Sequence, residues 1–198
     1  GHAMTELMDR PSTNAFAEAR KLCLRHQRRV RRLVTFLVVL LVLAGFITAA
    51  AFTVAMPCRV VGSDMQPTLA AGSLALVNTL RTSPARGEVI ACTDAEGTLL
   101  LRRVIGLPGD RVAIDRTTGQ VSVNGTPLAE SYISRSAVGN MDIADETEVP
   151  KGKLFLLGDE RLAARDSRQE AFGLLPLTAV RGQVWGVIWP LTEWKMVK

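Results

Sequence analysis

The chain has 198 residues, of which 47% are apolar and 22% are charged, so it is long enough to bury one sizeable core. This composition excludes a disordered segment and a small disulfide-rich scaffold. The net charge of +5 is concentrated at one end, because residues 5–32 carry eight basic and three acidic side chains, whereas residues 57–198 carry sixteen of each. The distribution predicts a basic segment beside a membrane and no nucleic-acid partner.

An uncharged segment follows the basic one. Between Arg32 and Arg59 lie 26 residues without a charge, enough for a helix to cross a hydrocarbon layer of roughly 30 Å. We predict a transmembrane helix over 33–56, with a basic cytoplasmic tail over 5–32 and an extracytoplasmic domain over 57–198, because basic flanks stay inside. A cleavable signal peptide is the alternative, but its apolar core spans only roughly 7–15 residues.

Residues 57–198 are expected to form a mostly β domain. Short runs rich in Val, Leu and Ile alternate there with Gly, Pro and Asp, and none sustains a helical period beyond two turns. Thr118-Gly119 and Asn124-Gly125 are turn signals that predict a small hairpin, inserted at about 111–150. The acidic stretch Ser136–Pro150 is expected to be a mobile loop.

Several chemistries are excluded by residues that the outer domain lacks. Both histidines, His2 and His26, precede the apolar segment, so no imidazole is present outside to serve a Ser-His-Asp triad. Two outer cysteines without a histidine cannot complete a tetrahedral zinc site, and we expect no metal or other cofactor. Cys58 and Cys92 are both expected on the oxidising side of the membrane, so the sequence allows either a disulfide between them or two free thiols. Cys23 is expected to stay reduced inside the cell.

Three stretches carry the most specific signal. In chain order they are GSDMQPTL (Gly62–Leu69), LLLRRVIGLPGD (Leu99–Asp110) and LFLLGDERLAARDSRQEAFG (Leu154–Gly173). Together they resemble the conserved boxes of type I signal peptidases, membrane-anchored serine proteases that remove signal peptides, and the likeness covers nearly all of residues 58–191. It implies an antiparallel β-sheet domain with a small inserted hairpin or cap, preceded by one N-terminal transmembrane helix.

The resemblance implies a Ser-Lys dyad in active members, in which a neutral lysine deprotonates the attacking serine. In this chain Asp64 stands at the serine position, Arg102 at the lysine position and Ala164 at that of a supporting serine. We expect none of the three to be catalytically active, because a guanidinium stays protonated and cannot act as the base. A direct, bidentate salt bridge between Asp64 and Arg102 is expected instead.

Other positions match family residues that brace the site or shape its turn. They are Met65, Pro67, Arg103, Asp159, Asp166, Ser167 and Arg168. The family's substrate lies extended beside the strand that leads to the nucleophile, which corresponds here to residues 59–64. Groove residues are therefore expected to be Val60, Gly62, Leu99, Leu100 and Leu101.

Three readings compete with a lost dyad. Ser63 could replace the nucleophile, but in an extended strand it faces away from Asp64. Asp64 with Asp159 or Asp166 could imitate an aspartic protease, but Arg102 would hold the Asp64 carboxylate ionised. Finally, Asp64 and Arg102 could be ordinary solvated charges, although their opposite signs at two positions that touch in the family argue against this reading.

Two functions are left. One is a working signal peptidase with unusual residues, and the other is a non-catalytic, membrane-anchored binding or chaperone protein that keeps the peptide groove. The resemblance offers a precedent for the second, because signal-peptidase-like proteins of Gram-positive bacteria lack the dyad and assist sortase-dependent pilus assembly. We therefore expect a single-pass pseudo-enzyme of the cell surface. Its partners would be the membrane and a pilin, sortase or preprotein, with no small-molecule substrate.

The charge asymmetry predicts the orientation of the chain. Protease added to intact cells should degrade residues 57–198 and leave the tail detectable by an antibody against residues 5–32. Permeabilised cells, in which both parts are digested, serve as the control. An outer domain that survives in intact cells would reverse the orientation.

Overall fold

The computed structural model describes residues 13–134 and 137–197, with side chains described for 26–50, 54–134 and 137–197. It divides into two compact units at residue 51. The first unit is helical and the second consists mainly of antiparallel strands.

Helix α1 runs from Thr13 to Val54. Neither glycine nor proline interrupts residues 13–44, so the helical backbone continues from the basic segment into the apolar one. Among the described residues, His26–Ala50 is the one stretch long and apolar enough to cross a membrane. The helix thus begins well before the expected start at residue 33.

Twelve strands are present in the described part of the chain. They are β1 (Ala55–Arg59), β2 (Leu74–Asn78), β3 (Val89–Thr93), β4 (Leu99–Gly106), β5 (Arg111–Ile114), β6 (Val121–Val123), β7 (Thr126–Pro127), β8 (Glu146–Glu148), β9 (Lys153–Leu157), β10 (Leu175–Pro176), β11 (Val180–Trp189) and β12 (Lys195–Met196). Strand β1 follows α1 directly, so residues 55 and 56 lie in a strand and not in the expected helix.

The strands form two antiparallel sheets. The large sheet has the order β1-β2-β11-β3-β4-β9-β10, with β12 paired to β11, and the small sheet has the order β7-β6-β5-β8. Strand β4 pairs with β3 along Leu99–Arg103 and with β9 only from Arg103 onward. The mostly β, antiparallel fold expected from the sequence is confirmed.

The small sheet packs against one end of the large sheet. Ile105 of β4 and Phe155 of β9 share a buried apolar cluster with Val112, Val121 and Val149 from the small-sheet region. The inserted hairpin is present, and Asn124 and Gly125 both have positive φ in the two-residue turn between β6 and β7.

Two sequence-based expectations about local structure are wrong. The stretch Ser136–Pro150 contains β8, whose Thr147 pairs with Val112 of β5, although residues 135 and 136 lie outside the described part. The expected strand over 59–64 ends at Arg59, because Gly62 turns the chain with a φ of +78°. Strand alternation therefore does not determine where Ser63 points.

Cys58 and Cys92 are free thiols in the structure, and they belong to separate buried clusters. Cys92 is fully buried, and its burial raises the pKa of its thiol to about 12. Burial also raises the pKa of Cys58. The disulfide that the sequence left open is absent, while the side chain of Cys23 lies outside the described part.

These two thiols are predicted to be unreactive in the folded protein. In a Cys23→Ser variant kept without reductant, thiol titration at pH 8 should detect two thiols after denaturation. The same thiols should react at least roughly a hundredfold more slowly before denaturation, because the raised pKa values suppress the reactive thiolate. Detection of no thiol in the denatured, unreduced chain would demonstrate a disulfide.

Candidate functional site

The turn between β1 and β2 presents Asp64. Met65 and Leu69 are buried in the apolar cluster under the turn, and the Leu69 amide donates to the Met65 carbonyl at 2.8 Å. The Gln66–Pro67 peptide within the turn is cis. Asp64 precedes these apolar anchors, and its side chain is 29% exposed at the edge of the domain.

Arg102 on β4 contacts Asp64 directly. Its Nη2 lies 2.5 Å from Asp64 Oδ2, and only 3% of the arginine side chain is exposed. The expected salt bridge is therefore present, but it is not bidentate. The Nε of Arg102 donates instead to the Arg165 carbonyl at 2.8 Å, and its Nη1 donates to the Leu101 carbonyl at 2.7 Å. Two of the three guanidinium nitrogens thus donate to backbone carbonyls, and the third donates to the carboxylate.

Ala164 lies on the loop that follows β9, close to the Asp64 backbone. The Glu160 amide donates to the Asp64 carbonyl at 2.9 Å, and the Ala164 amide donates to the Glu160 carbonyl at 3.0 Å. A Cβ added at Gly158 would lie 2.2 Å from the Ala164 Cβ and 2.7 Å from the Asp64 carbonyl oxygen. The structure thus brings together Asp64, Arg102 and Ala164, as the sequence predicts.

Arg103, next to Arg102, forms a buried pair with Asp159. Its Nε and Nη2 donate to the two carboxylate oxygens at 2.9 and 2.7 Å, and both side chains are at most 1% exposed. Thr68 of the turn donates its hydroxyl to Asp159 Oδ2, and Arg103 Nη1 donates to the Gly87 carbonyl at 2.6 Å. This pair ties together the turn, β4 and the loop after β9.

A second buried pair holds the far end of that loop. Arg168 donates from Nε and Nη2 to the two oxygens of Asp166, each at 2.8 Å. Asp166 also accepts the Gly158 amide at 2.9 Å. The Ser167 hydroxyl accepts the Leu156 amide at 3.0 Å and donates to the Gly173 carbonyl at 2.8 Å. Each of these side chains braces the backbone around the site.

Three further residues, not predicted from the sequence, complete this support: Tyr132, Glu130 and Arg161. The guanidinium carbon of Arg103 lies 3.8 Å from the centre of the Tyr132 ring, and the Tyr132 hydroxyl donates to Glu130 at 2.8 Å. Glu130 also forms a buried salt bridge with Arg161. Burial, followed by the Glu130 charge, raises the pKa of Tyr132. Glu130 and Tyr132 lie between the second and third family-like stretches and Arg161 lies within the third, but no motif there indicates that they pair.

A small cavity of about 150 Å³ opens beside Asp64. Its walls come from the end of β1, the turn and the first half of β4, and they include Val60, Val61, Leu99, Leu100 and Leu101. Four of the five expected groove residues line it. Gly62 does not line it, although a Cβ at that position would lie 3.8 Å from Asp64 Oδ1. The cavity is therefore an apolar pocket with a carboxylate at its edge.

Residues 30–189 match the family model described as signal peptidase, peptidase S26. The chain belongs to this family. It is 33% identical to signal peptidase I of Bacillus caldolyticus over 146 residues, which cover 67% of this chain and 78% of the relative. It is 31% identical to signal peptidase IB of Staphylococcus aureus over 157 residues, covering 70% and 80%.

A crystal structure of a signal peptidase I from Enterococcus faecalis V583 is also similar. It shares 28% identity, with a TM-score of 0.43, and the match covers 51% of this chain and 96% of the other. Membership of the signal peptidase family confirms the resemblance of the three sequence stretches. In this family member, a guanidinium and a carboxylate meet beside an apolar pocket, supported by three buried arginine–carboxylate pairs.

Coupling between Asp64 and Arg102 can be measured by a double-mutant cycle on the full chain in detergent micelles. Asp64→Ala should cost about 1–3 kcal/mol of unfolding free energy, because Arg102 keeps its two carbonyl acceptors. Arg102→Ala should cost about 3 kcal/mol, because it also empties a buried space. The double variant should lose less than the sum by about 1–3 kcal/mol.

The exposed pair Arg111–Glu146, whose side chains are 64% and 56% exposed, is the matched control. Its coupling should stay below about 1 kcal/mol, because water and salt screen exposed pairs. If the double variant loses as much unfolding free energy as the two single variants together, the contact between Asp64 and Arg102 contributes no coupling.

Proposed function

We propose that this member of the signal peptidase family binds an extended peptide at its site without cleaving it. One observation carries the proposal: Arg102 Nη2 lies 2.5 Å from Asp64 Oδ2, and the sequence resemblance assigns these two residues to the family's base and nucleophile positions. A protonated guanidinium has no lone pair with which to accept a proton. An ionised carboxylate paired with it lacks the proton-sharing partner that an aspartic protease uses.

The backbone beside the pocket supports peptide binding. Leu99–Leu101 pair with β3 on one side, and pairing with β9 begins only at Arg103. Within the described residues, the other edge of this half of β4 is therefore not covered by a strand. An extended peptide can add there through main-chain hydrogen bonds, with one side chain directed into the pocket.

The family and the apolar helix support a role at a membrane. The α1 stretch His26–Ala50 supports attachment to a membrane, and preproteins are the substrates that the family name implies. We propose that the domain lies outside and that its occupant is a pilin, sortase or preprotein segment, held during sortase-dependent pilus assembly. In this role the protein is a chaperone with a protease fold.

An active signal peptidase is the second candidate. The intact bracing favours it, because Arg103, Asp159, Asp166 and Arg168 still hold the loops around the site. Ser63 lies beside Asp64 in a bend of the chain, so its hydroxyl is the nucleophile that this candidate function would use. Proteolysis would then require a base other than Arg102.

The test uses the full chain in lipid vesicles with a fluorescent preprotein as the probe. We expect binding without cleavage. Asp64→Ser with Arg102→Lys should not restore robust cleavage, because Ala164 lacks the supporting hydroxyl; adding Ala164→Ser is the matched comparison. Leu100→Trp should weaken binding about tenfold or more by filling the pocket, whereas Thr126→Trp, on the exposed strand β7, should not.

Each outcome bears on one part of the proposal. Cleavage by the unmodified chain that is lost in Ser63→Ala would establish the second candidate instead. Unchanged binding after Leu100→Trp would place the binding surface outside this pocket. Normal pili in cells that lack the protein would remove the assembly role while leaving the binding activity intact.

A further inference from the structure

One oxygen of Asp64 accepts no hydrogen bond from the residues that the structure describes. Among the described residues, the hydrogen bond to the Asp64 carboxylate comes from Arg102, which donates to Oδ2. The carboxylate lines the cavity. A Cβ added at Gly62 would lie 3.8 Å from Oδ1 and would have no other atom within 4 Å, so the space beside Oδ1 is open. Oδ1 therefore faces open space beside an apolar pocket, where a bound peptide would have to replace water as its hydrogen-bond donor.

The partner of this oxygen must supply a donor. An ionised carboxylate is acceptor-only, so it repels a carbonyl oxygen or a second carboxylate placed against Oδ1. A peptide carbonyl, the group that an active member attacks, is thus a poor occupant of this position. The donors that a peptide can offer are a hydroxyl, an amide or an ammonium.

The charges around the pocket discriminate among these donors. Arg102 already balances Asp64, and Arg59 at the pocket wall adds a further positive charge. No second carboxylate lines this pocket in the described part of the chain. A lysine ammonium would therefore lose its hydration without a counter-charge of its own, whereas a neutral hydroxyl would gain a charge-assisted hydrogen bond.

A cavity of about 150 Å³ has room for a serine or threonine side chain. We propose that the replacement of serine by Asp64 has changed the specificity of the site, so that it selects a peptide with a serine or threonine hydroxyl at this position. This inference rests on the proposed peptide binding and specifies which peptide is bound.

The experiment offers the full chain in lipid nanodiscs a library of acetylated, amidated nine-residue peptides. The background is alanine, valine and leucine, and one position at a time carries serine, O-methylserine, 2-aminobutyrate, lysine or aspartate. Bound peptides are quantified by mass spectrometry. Serine donates and accepts, O-methylserine only accepts, and 2-aminobutyrate replaces the hydroxyl by a methyl group of similar size.

At one position, serine should bind roughly fivefold better than 2-aminobutyrate. O-methylserine should bind no better than 2-aminobutyrate, because it offers no donor to Oδ1. The variant Asp64→Asn tests whether the Asp64 carboxylate sets this preference, because it should place a donor where the carboxylate offers an acceptor. Its amide oxygen can accept from Arg102 and direct the amide nitrogen into the pocket, so O-methylserine should become favoured over 2-aminobutyrate.

The outcomes separate this inference from the proposed function. Peptide binding with no preference among the three short side chains would overturn the hydroxyl specificity and leave peptide binding intact. Enrichment of lysine over serine would also overturn it. Absence of any bound peptide would overturn both. A Thr126→Asn variant, altered on the exposed β7 strand, should keep the serine preference of the unmodified chain.

Discussion

The buried bond between Arg103 and Asp159 fixes the relative positions of the segments that form the site. Arg103 lies on β4, Asp159 begins the loop after β9, and the Thr68 hydroxyl from the β1–β2 turn donates to the same carboxylate. A buried charge that loses its partner costs several kcal/mol, so these three segments are held together strongly. Asp64, Arg102 and Ala164 each lie within five residues of one member of this group.

The arginine–carboxylate contacts around the site are of two kinds, which differ in the number of hydrogen bonds and in the exposure of the carboxylate. Arg103 and Arg168 each make two bonds to a fully buried carboxylate, which leaves little room for rearrangement. Arg102 makes one bond to a partly exposed carboxylate and two bonds to backbone carbonyls. The bracing contacts are thus closed, whereas the contact between Arg102 and Asp64 leaves one oxygen open toward the pocket.

Much of this arrangement is predictable from local sequence. Glycine and asparagine turn signals identify the hairpin, and the three family-like stretches place Asp64 beside Arg102. The one-bond geometry is not predictable, because it depends on where the carbonyl of Arg165 falls after the chain folds. Glu130 and Arg161 form a buried pair across 31 residues of chain, and composition cannot distinguish such a pair from two solvated charges.

The tight contact at Gly158 bears on how such a protein can evolve. Any side chain there would collide with the Ala164 Cβ and the Asp64 backbone oxygen, so selection for folding alone is sufficient to keep glycine at this position. The buried charges of the same loop are under a similar constraint. The side chains that meet beside the pocket can therefore change while the surrounding motifs persist, because packing alone is sufficient to retain those motifs. Retained motifs in this family are consequently a record of packing, and only the reacting atoms themselves report on chemistry.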